Sequence, residues 1–261
     1  MDKVPARALV SVHALWDELS DFEASETDAA LKHALARLSK MIGAQNAFWL
    51  GTVRLTGPTA RDPVKGWRAR ALYYLREQPV HRTFAKRAMR NIDKGKPSAS
   101  EIEHARTAGT FRAARMCDLL GPDWHGTLDF ERYRARGVSD ALHVIFPVND
   151  GAESYFGFHR KTGRKAFTEA DRDLAAYALR GLKWFHRQVM LSRGLTVARQ
   201  PLTPGERRLQ SLLLTELSEP DIAAKLGQSP QTTHKNVTRL LRKLGVNRRI
   251  GLTALWLGQA R

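Results

Sequence analysis

LTPGERRLQSLLLTELSEPDIAAKLGQSPQTTHKNVTRLLRKLGV, residues 202–246, packs several helix starts into a short length of chain. Thr203-Pro204-Gly205-Glu206 sets a capping hydroxyl ahead of a proline at the first helical position, with Glu206 able to accept from the cap amide. Ser218-Glu219-Pro220-Asp221 repeats that arrangement, Ser229-Pro230-Gln231-Thr232 repeats it again, and Asn247 can open a fourth helix. Each such oxygen takes up amides that a first turn leaves unpaired, so short helices joined by sharp turns are predicted. Gly227 stands between the second and third starts, where a left-handed residue would end one helix before the next begins. This is helix-turn-helix spacing.

At about 100° per residue, Thr233, Val237, Leu240, Leu241 and Leu244 fall on one arc of residues 230–244, the arc that must face a small core. The opposite arc carries Gln231, Lys235, Thr238, Arg239 and Arg242, with His234 at its edge. Cationic and hydrogen-bonding side chains in that combination suit base edges and phosphates in a major groove. An ordinary solvated helix face would show a similar charge pattern, and the helix starts around it weigh against that alternative.

With those residues in view, 202–258 resembles the LuxR/GerE-type helix-turn-helix of bacterial transcription factors. The resemblance is carried by Leu202-Thr203-Pro204 with Glu206, Leu217-Ser218 with Asp221-Ile222-Ala223, Leu226-Gly227 with Ser229-Pro230 and Thr232, and Arg242-Lys243-Leu244-Gly245-Val246. It implies that the third helix enters the major groove and that the fourth helps two copies pair. By position it also implies base-directed roles for His234, Lys235 and Thr238, and backbone roles for Thr232, Arg239 and Arg242. The chain departs from the family at Gly205, Glu216 and the pair Thr233-His234. The family usually has lysine where this chain has His234, so one phosphate or base contact is expected to be weaker or altered.

The remainder of the 261 residues leaves room for a second domain, and 43% hydrophobic against 26% charged residues predicts a folded chain. A net charge of +17 attracts polyanions, nucleic acid foremost, although an arginine-favouring genome would produce the same surplus. Cys117 is the only cysteine, which excludes an intramolecular disulfide and fits a reducing cytoplasm. No apolar run approaches the ~18 residues needed to cross a bilayer, so neither export nor anchoring is expected.

Residues 1–195 read as an α+β domain, 196–201 as a linker and 202–261 as the four-helix domain. Helical spacing covers 6–20 and 26–41, the second introduced by Ser25. Strands are predicted over 45–55, closed by Thr56-Gly57-Pro58, and over 67–75. A helix follows over 80–92, then a turn over 93–97, with 98–137 irregular or helical. Segments 142–148 and 154–160 flank Asn149-Asp150-Gly151 and predict an antiparallel hairpin. Thr168 with Asp171 forms a capping box for one long helix running to about Leu195. Together, the hairpin, Phe167-Thr168-Glu169-Ala170-Asp171 and the helix after them resemble the closing part of a GAF domain. That implies a GAF/PAS-like fold, a central antiparallel sheet flanked by helices. The autoinducer-binding domain common in LuxR-type regulators is the near competitor, but its Trp, Tyr and following Asp-Pro arrangement is missing, since Asp62-Pro63 precedes Trp67.

A domain of this kind often encloses a small pocket, and Trp49, Trp67, Tyr73, Trp124 and Phe158 are the aromatic candidates to line one, with core packing as the alternative. His125 and His143 lack zinc-ligand spacing, no metal or other cofactor is expected, and no catalytic signature such as G-x-S-x-G, H-E-x-x-H or a phosphate loop occurs. The expected function is a cytoplasmic, non-enzymatic DNA-binding regulator controlled by a sensing domain. The alternative is a ligand-independent regulator whose N-terminal domain only dimerises or recruits a partner. Expected partners are double-stranded DNA, a second copy of the chain, an unidentified small-molecule effector and RNA polymerase.

Overall fold

The computed structural model describes residues 5–55, 61–197 and 201–259. The turn expected at Thr56-Gly57-Pro58 and residues 198–200 of the expected linker lie outside the described residues. The chain forms two compact units, one of Met1–Asp17 with Lys32–Lys183, the other of Glu18–Leu31 with Trp184–Arg261. Leu191 and Leu202, in the second unit, are buried in one apolar cluster.

The helices and strands preceding the cluster of short helices are α1 (Ala6–Ser20), α2 (Thr27–Met41), β1 (Asn46–Arg54), β2 (Trp67–Tyr74), α3 (Pro79–Asp93), α4 (Ala99–Arg106), β3 (Arg112–Arg115), α5 (Met116–Leu120), α6 (Leu128–Arg134), β4 (Val138–Asn149), β5 (Ala152–Lys161), α7 (Glu169–Arg180) and α8 (Lys183–Leu191). The strands form one antiparallel sheet in the order β2-β1-β5-β4-β3. Side chains alternate across a strand, and this divides the sheet into two unlike faces. One carries Ala47, Trp49, Leu142, Val144, Phe156 and Phe158, all fully buried. The other carries Phe48, Leu50, His143, Tyr155 and His159, and a cavity separates it from α3, α4 and α6.

The sheet flanked by helices matches the expected α+β architecture, with three differences of detail. The hairpin is longer than predicted at both ends, and Asn149 Oδ1 accepts from the Gly151 amide (3.0 Å) to close its turn. Strand β3 lies in the stretch expected to be irregular or helical. Its sequence, Arg-Ala-Ala-Arg, has no strand-forming side chain, and it is extended because its backbone pairs with 142–145 of β4 and its Arg112 is held by β5. The single long helix expected after Thr168 is two, α7 and α8, broken at Gly181-Leu182. Trp16 Nε1 donates to the Ala178 carbonyl (2.8 Å), the acceptor that the Leu182 amide would need to continue the helix, and Leu182 bonds Leu179 instead (3.2 Å). Any side chain at Gly181 would overlap the Trp16 indole.

The second unit contains α9 (Pro204–Leu213), α10 (Glu219–Leu226), α11 (Pro230–Lys243) and α12 (Arg249–Leu257). Thr203, Ser218 and Ser229 cap the first three through the amides of Glu206, Asp221 and Thr232. Gly227 has φ 64° and ends α10, leaving a short turn before α11. The fourth start differs from expectation: the cap residue is Arg248 rather than Asn247, and its side chain makes no capping bond. Arg249 accounts for that placement, since its guanidinium donates to the carbonyls of Leu213 (2.7 Å), Thr215 and Leu217, tying α12 to the C-terminal end of α9, where a cation is favoured. Leu209, Leu213, Ile222, Val237, Leu240, Leu244, Leu252 and Trp256 form the core among these helices.

Candidate functional site

Two places in the chain have the makings of a site, one in each unit. In the second unit α11 buries Thr233, Val237, Leu240 and Leu241, with Leu244 buried at its C-cap, and burial of that stripe leaves the rest of the helix outward. Gln231, Thr232, His234, Lys235, Thr238, Arg239 and Arg242 are all exposed. Several are held locally. The Thr232 hydroxyl accepts from Ser229 Oγ (2.9 Å), and Arg239 Nη2 donates to Asn236 Oδ1 (3.1 Å). His234 Nδ1 lies 3.0 Å from Glu219 Oε2, at the first turn of α10, a contact between two helices that residue spacing does not reveal. Lys243, next to this face, is instead paired inward with Glu206 (2.8 Å), the same carboxylate that accepts from the Thr203 cap amide.

In the first unit the cavity has a volume of about 440 Å³. Its apolar lining comes from Phe48, Leu50, Trp67, Leu72, Phe84, Met89 and Ile92. Of the five aromatics anticipated from the sequence, Trp67 lines it. Trp49 and Phe158 belong to the opposite, fully buried face of the sheet, Trp49 donating to Ser154 Oγ (2.8 Å). Tyr73 stands opposite Trp49 in the β1–β2 register, its side chain alternating with that of the cavity-lining Tyr74. Trp124 is buried in a separate cluster with Met116, Tyr133, Val138 and Ala141, while His125 packs on Trp124 and Phe130.

The polar lining was not anticipated. His143 is bonded on both sides, Nδ1 to His104 Nε2 (2.9 Å) and Nε2 to the Tyr133 hydroxyl (3.4 Å). Burial lowers the pKa of His143 to about 4, and the Arg136 charge acts in the same direction. His104 and His159 are likewise held neutral, by burial first and by neighbouring positive charge second. His159 is only 2% exposed, and neither of its ring nitrogens has a hydrogen-bond partner. Buried polar atoms in that state are uncommon, because each forfeits its hydration without replacement. The sequence does hold a trace of this wall: in β5 the odd positions Glu153, Tyr155, Gly157 and His159 alternate with Ala152, Ser154, Phe156 and Phe158. A polar period of two in a strand buried on both faces marks a polar interior surface.

Behind the cavity wall, Arg112 and Glu153 form a two-pronged ion pair, Nη1–Oε1 2.7 Å and Nη2–Oε2 3.0 Å. Tyr155 donates to Glu153 Oε2 (3.0 Å) and the Gly109 amide to Oε1 (2.8 Å). At Gly157, the Phe48 ring lies directly over the backbone, where a Cβ would overlap it. Gly157→Ala is therefore expected to push Phe48 into the cavity at a cost of about 1–3 kcal/mol. Urea denaturation checks this, and an unchanged midpoint would show that the ring has somewhere else to go.

No helix among the described residues is long and apolar enough to cross a membrane. No family model matches this sequence. No curated protein matches it either. Among solved structures the chain is similar to SdiA in complex with octanoyl-rac-glycerol, at 11% identity and TM-score 0.47, over 98% of this chain and 96% of that one. It is similar to Escherichia coli SdiA in the space group P6522, at 11% identity and TM-score 0.44, over 95% of this chain and 96% of that one. The LBD domain of VqsR from Pseudomonas aeruginosa gives 11% identity and TM-score 0.45, over 72% of this chain and 98% of that one.

Proposed function

We propose that this chain is a DNA-binding transcriptional regulator that reads duplex DNA with α11 and senses a small molecule in the cavity of its first unit. The observation that supports it most is the α11 surface: seven outward polar or cationic side chains on a helix whose other side is buried by leucines. Lys235, Thr238 and His234 are assigned to base edges, and Gln231, Thr232, Arg239 and Arg242 to grip on the groove and backbone. The GAF/PAS-like reading of the first unit, a cytoplasmic location, a two-fold pair of chains on a two-fold operator and a contact with RNA polymerase belong to the same proposal.

Sensing rests on the cavity. An apolar space of this size with a few converging polar groups is the usual form of a small-molecule site. Ligand binding in one unit then regulates DNA binding in the other only if the two are energetically linked, and that linkage is reciprocal: an effector that raises DNA affinity must itself bind tighter when DNA is present.

Selection of bound duplexes from a random pool tests the DNA half. Lys235→Ala or Thr238→Ala is expected to relax discrimination at one or two base pairs, by about 1–3 kcal/mol each. Arg239→Ala or Arg242→Ala is expected to weaken all duplexes alike and to lower the salt slope of the binding constant by about one. If the full chain binds no duplex more tightly than a protein of matched charge does, the reading fails.

A further inference from the structure

The cavity wall near Tyr133 holds a charge imbalance. Arg136 lies over the faces of Phe84 and Tyr133, its guanidinium carbon 3.8 Å and 4.6 Å from the two ring centroids. His159 meets Tyr133 edge to face, with ring centroids 5.7 Å apart, so Arg136 and His159 flank the same phenol. Among the described residues Arg136 has no carboxylate at ion-pair distance; its Nε donates to the Arg132 carbonyl (3.1 Å), and its guanidinium also bonds the neutral Tyr74 hydroxyl. The acids on this wall are already engaged. Glu101 accepts from the Ser98 amide (2.6 Å), and Asp129 accepts from the Ser100 amide (3.0 Å) and lies 3.6 Å from Arg132. Arg68, at the far strand, is matched by Asp62 (3.1 Å) and Asp93 (3.3 Å).

One cation without a counter-ion thus adjoins one buried imidazole with both nitrogens unpartnered, while Phe48, Leu50, Leu72 and Met89 give the same cavity an apolar stretch of wall. A cationic ligand would be repelled by Arg136. A purely apolar one would bury the guanidinium charge and the bare imidazole further, at a cost in desolvation with no hydrogen bond in return. A carboxylate answers both, since it is an acceptor with two oxygens that a guanidinium fork matches in geometry. The volume of about 440 Å³, at about 30 Å³ per water-sized group, has room for roughly fifteen non-hydrogen atoms.

We propose that the cavity takes an amphipathic monocarboxylate of roughly that size, with its carboxylate accepting from Arg136 and from the His159 ring N–H, and its apolar body lying against Phe48, Leu50, Leu72 and Met89. This deepens the sensing half of the proposed function and rests on it.

Calorimetric titration of the full chain with decanoate and with methyl decanoate tests the assignment. Both probes have the same apolar tail, so any difference reports the head group. Decanoate is expected to bind about tenfold more tightly or better, the yield of charge-assisted hydrogen bonds in a half-buried site. In Arg136→Gln that preference falls to parity while the ester still binds, and Arg136→Lys, which keeps the charge without the fork, retains part of it. His159→Leu is expected to weaken decanoate and to leave or improve the ester. Equal affinity for acid and ester in the unaltered chain overturns the proposal. So does a decanoate affinity that Arg136→Gln leaves unchanged, which would mean binding elsewhere on a basic surface. If the ester binds and the acid does not, the ligand class fails while a sensing cavity stands. Binding of neither overturns the assignment, and the duplex selection judges the DNA half separately.

Discussion

Glu153→Gln should destabilise the first unit by about 3–5 kcal/mol, the range seen when one member of a buried ion pair is removed. Glu153 is wholly inaccessible, and its two oxygens take both prongs of Arg112, the Tyr155 hydroxyl and the Gly109 amide. Glutamine keeps the shape but not the charge. Arg112 would then remain desolvated with no counter-ion, and one of the amide hydrogens would point at a donor. The pair as a whole is a different matter, because the cost of drying both ions offsets most of their attraction. The double substitution Glu153→Leu with Arg112→Leu is accordingly expected to lose far less than Glu153→Gln alone. Urea unfolding of the three proteins by circular dichroism separates these cases. A loss under about 1 kcal/mol for Glu153→Gln, the scale of an exposed pair, would mean that water reaches this site.

The second large effect is on acid stability. His104, His143 and His159 are neutral in the folded chain because burial, and then the positive charges of their neighbours, disfavour the imidazolium. Unfolded, each reverts to the ordinary value of 6.5. Below that value the unfolded chain binds protons that the folded chain refuses, so stability is complete above pH 6.5 and falls as pH drops toward about 4. For His143 alone the loss over that interval is about 3 kcal/mol. His104 and His159, and His81 beside them, are shifted downward as well and add to the loss in the same direction. His159→Leu removes one of these protons and one pair of unsatisfied nitrogens, so it is expected to raise the melting temperature at pH 5 and to lessen the slope between pH 5 and 6.5. A slope identical to that of the unaltered chain would mean that His159 already has access to water.

These two effects arise from residues that the sequence made visible only in part. Glu153, Tyr155 and His159 alternate with Ser154, Phe156 and Phe158, and a strand with polar side chains at every second place can be read from that alone. What cannot be read is the partner of each. His104 reaches His143 across 39 positions of chain, and Arg112 reaches Glu153 across 41. Trp67 and Trp49 are equal candidates for the cavity by sequence, and only the side of the sheet on which each stands separates them.

Sequence alone determined what depends on near neighbours along the chain. The caps at Thr203, Ser218 and Ser229, the turn at Gly227, the hairpin about Asn149-Asp150-Gly151 and the outward face of α11 all involve groups a few residues apart, whose geometry the backbone itself sets. Tertiary structure decided the rest: the break at Gly181, imposed by an indole from α1; the strand at Arg112–Arg115, held by its neighbours against its own propensity; and the cavity. Those outcomes follow from which distant segments share a surface, and side-chain packing and desolvation fix that only after the chain has collapsed.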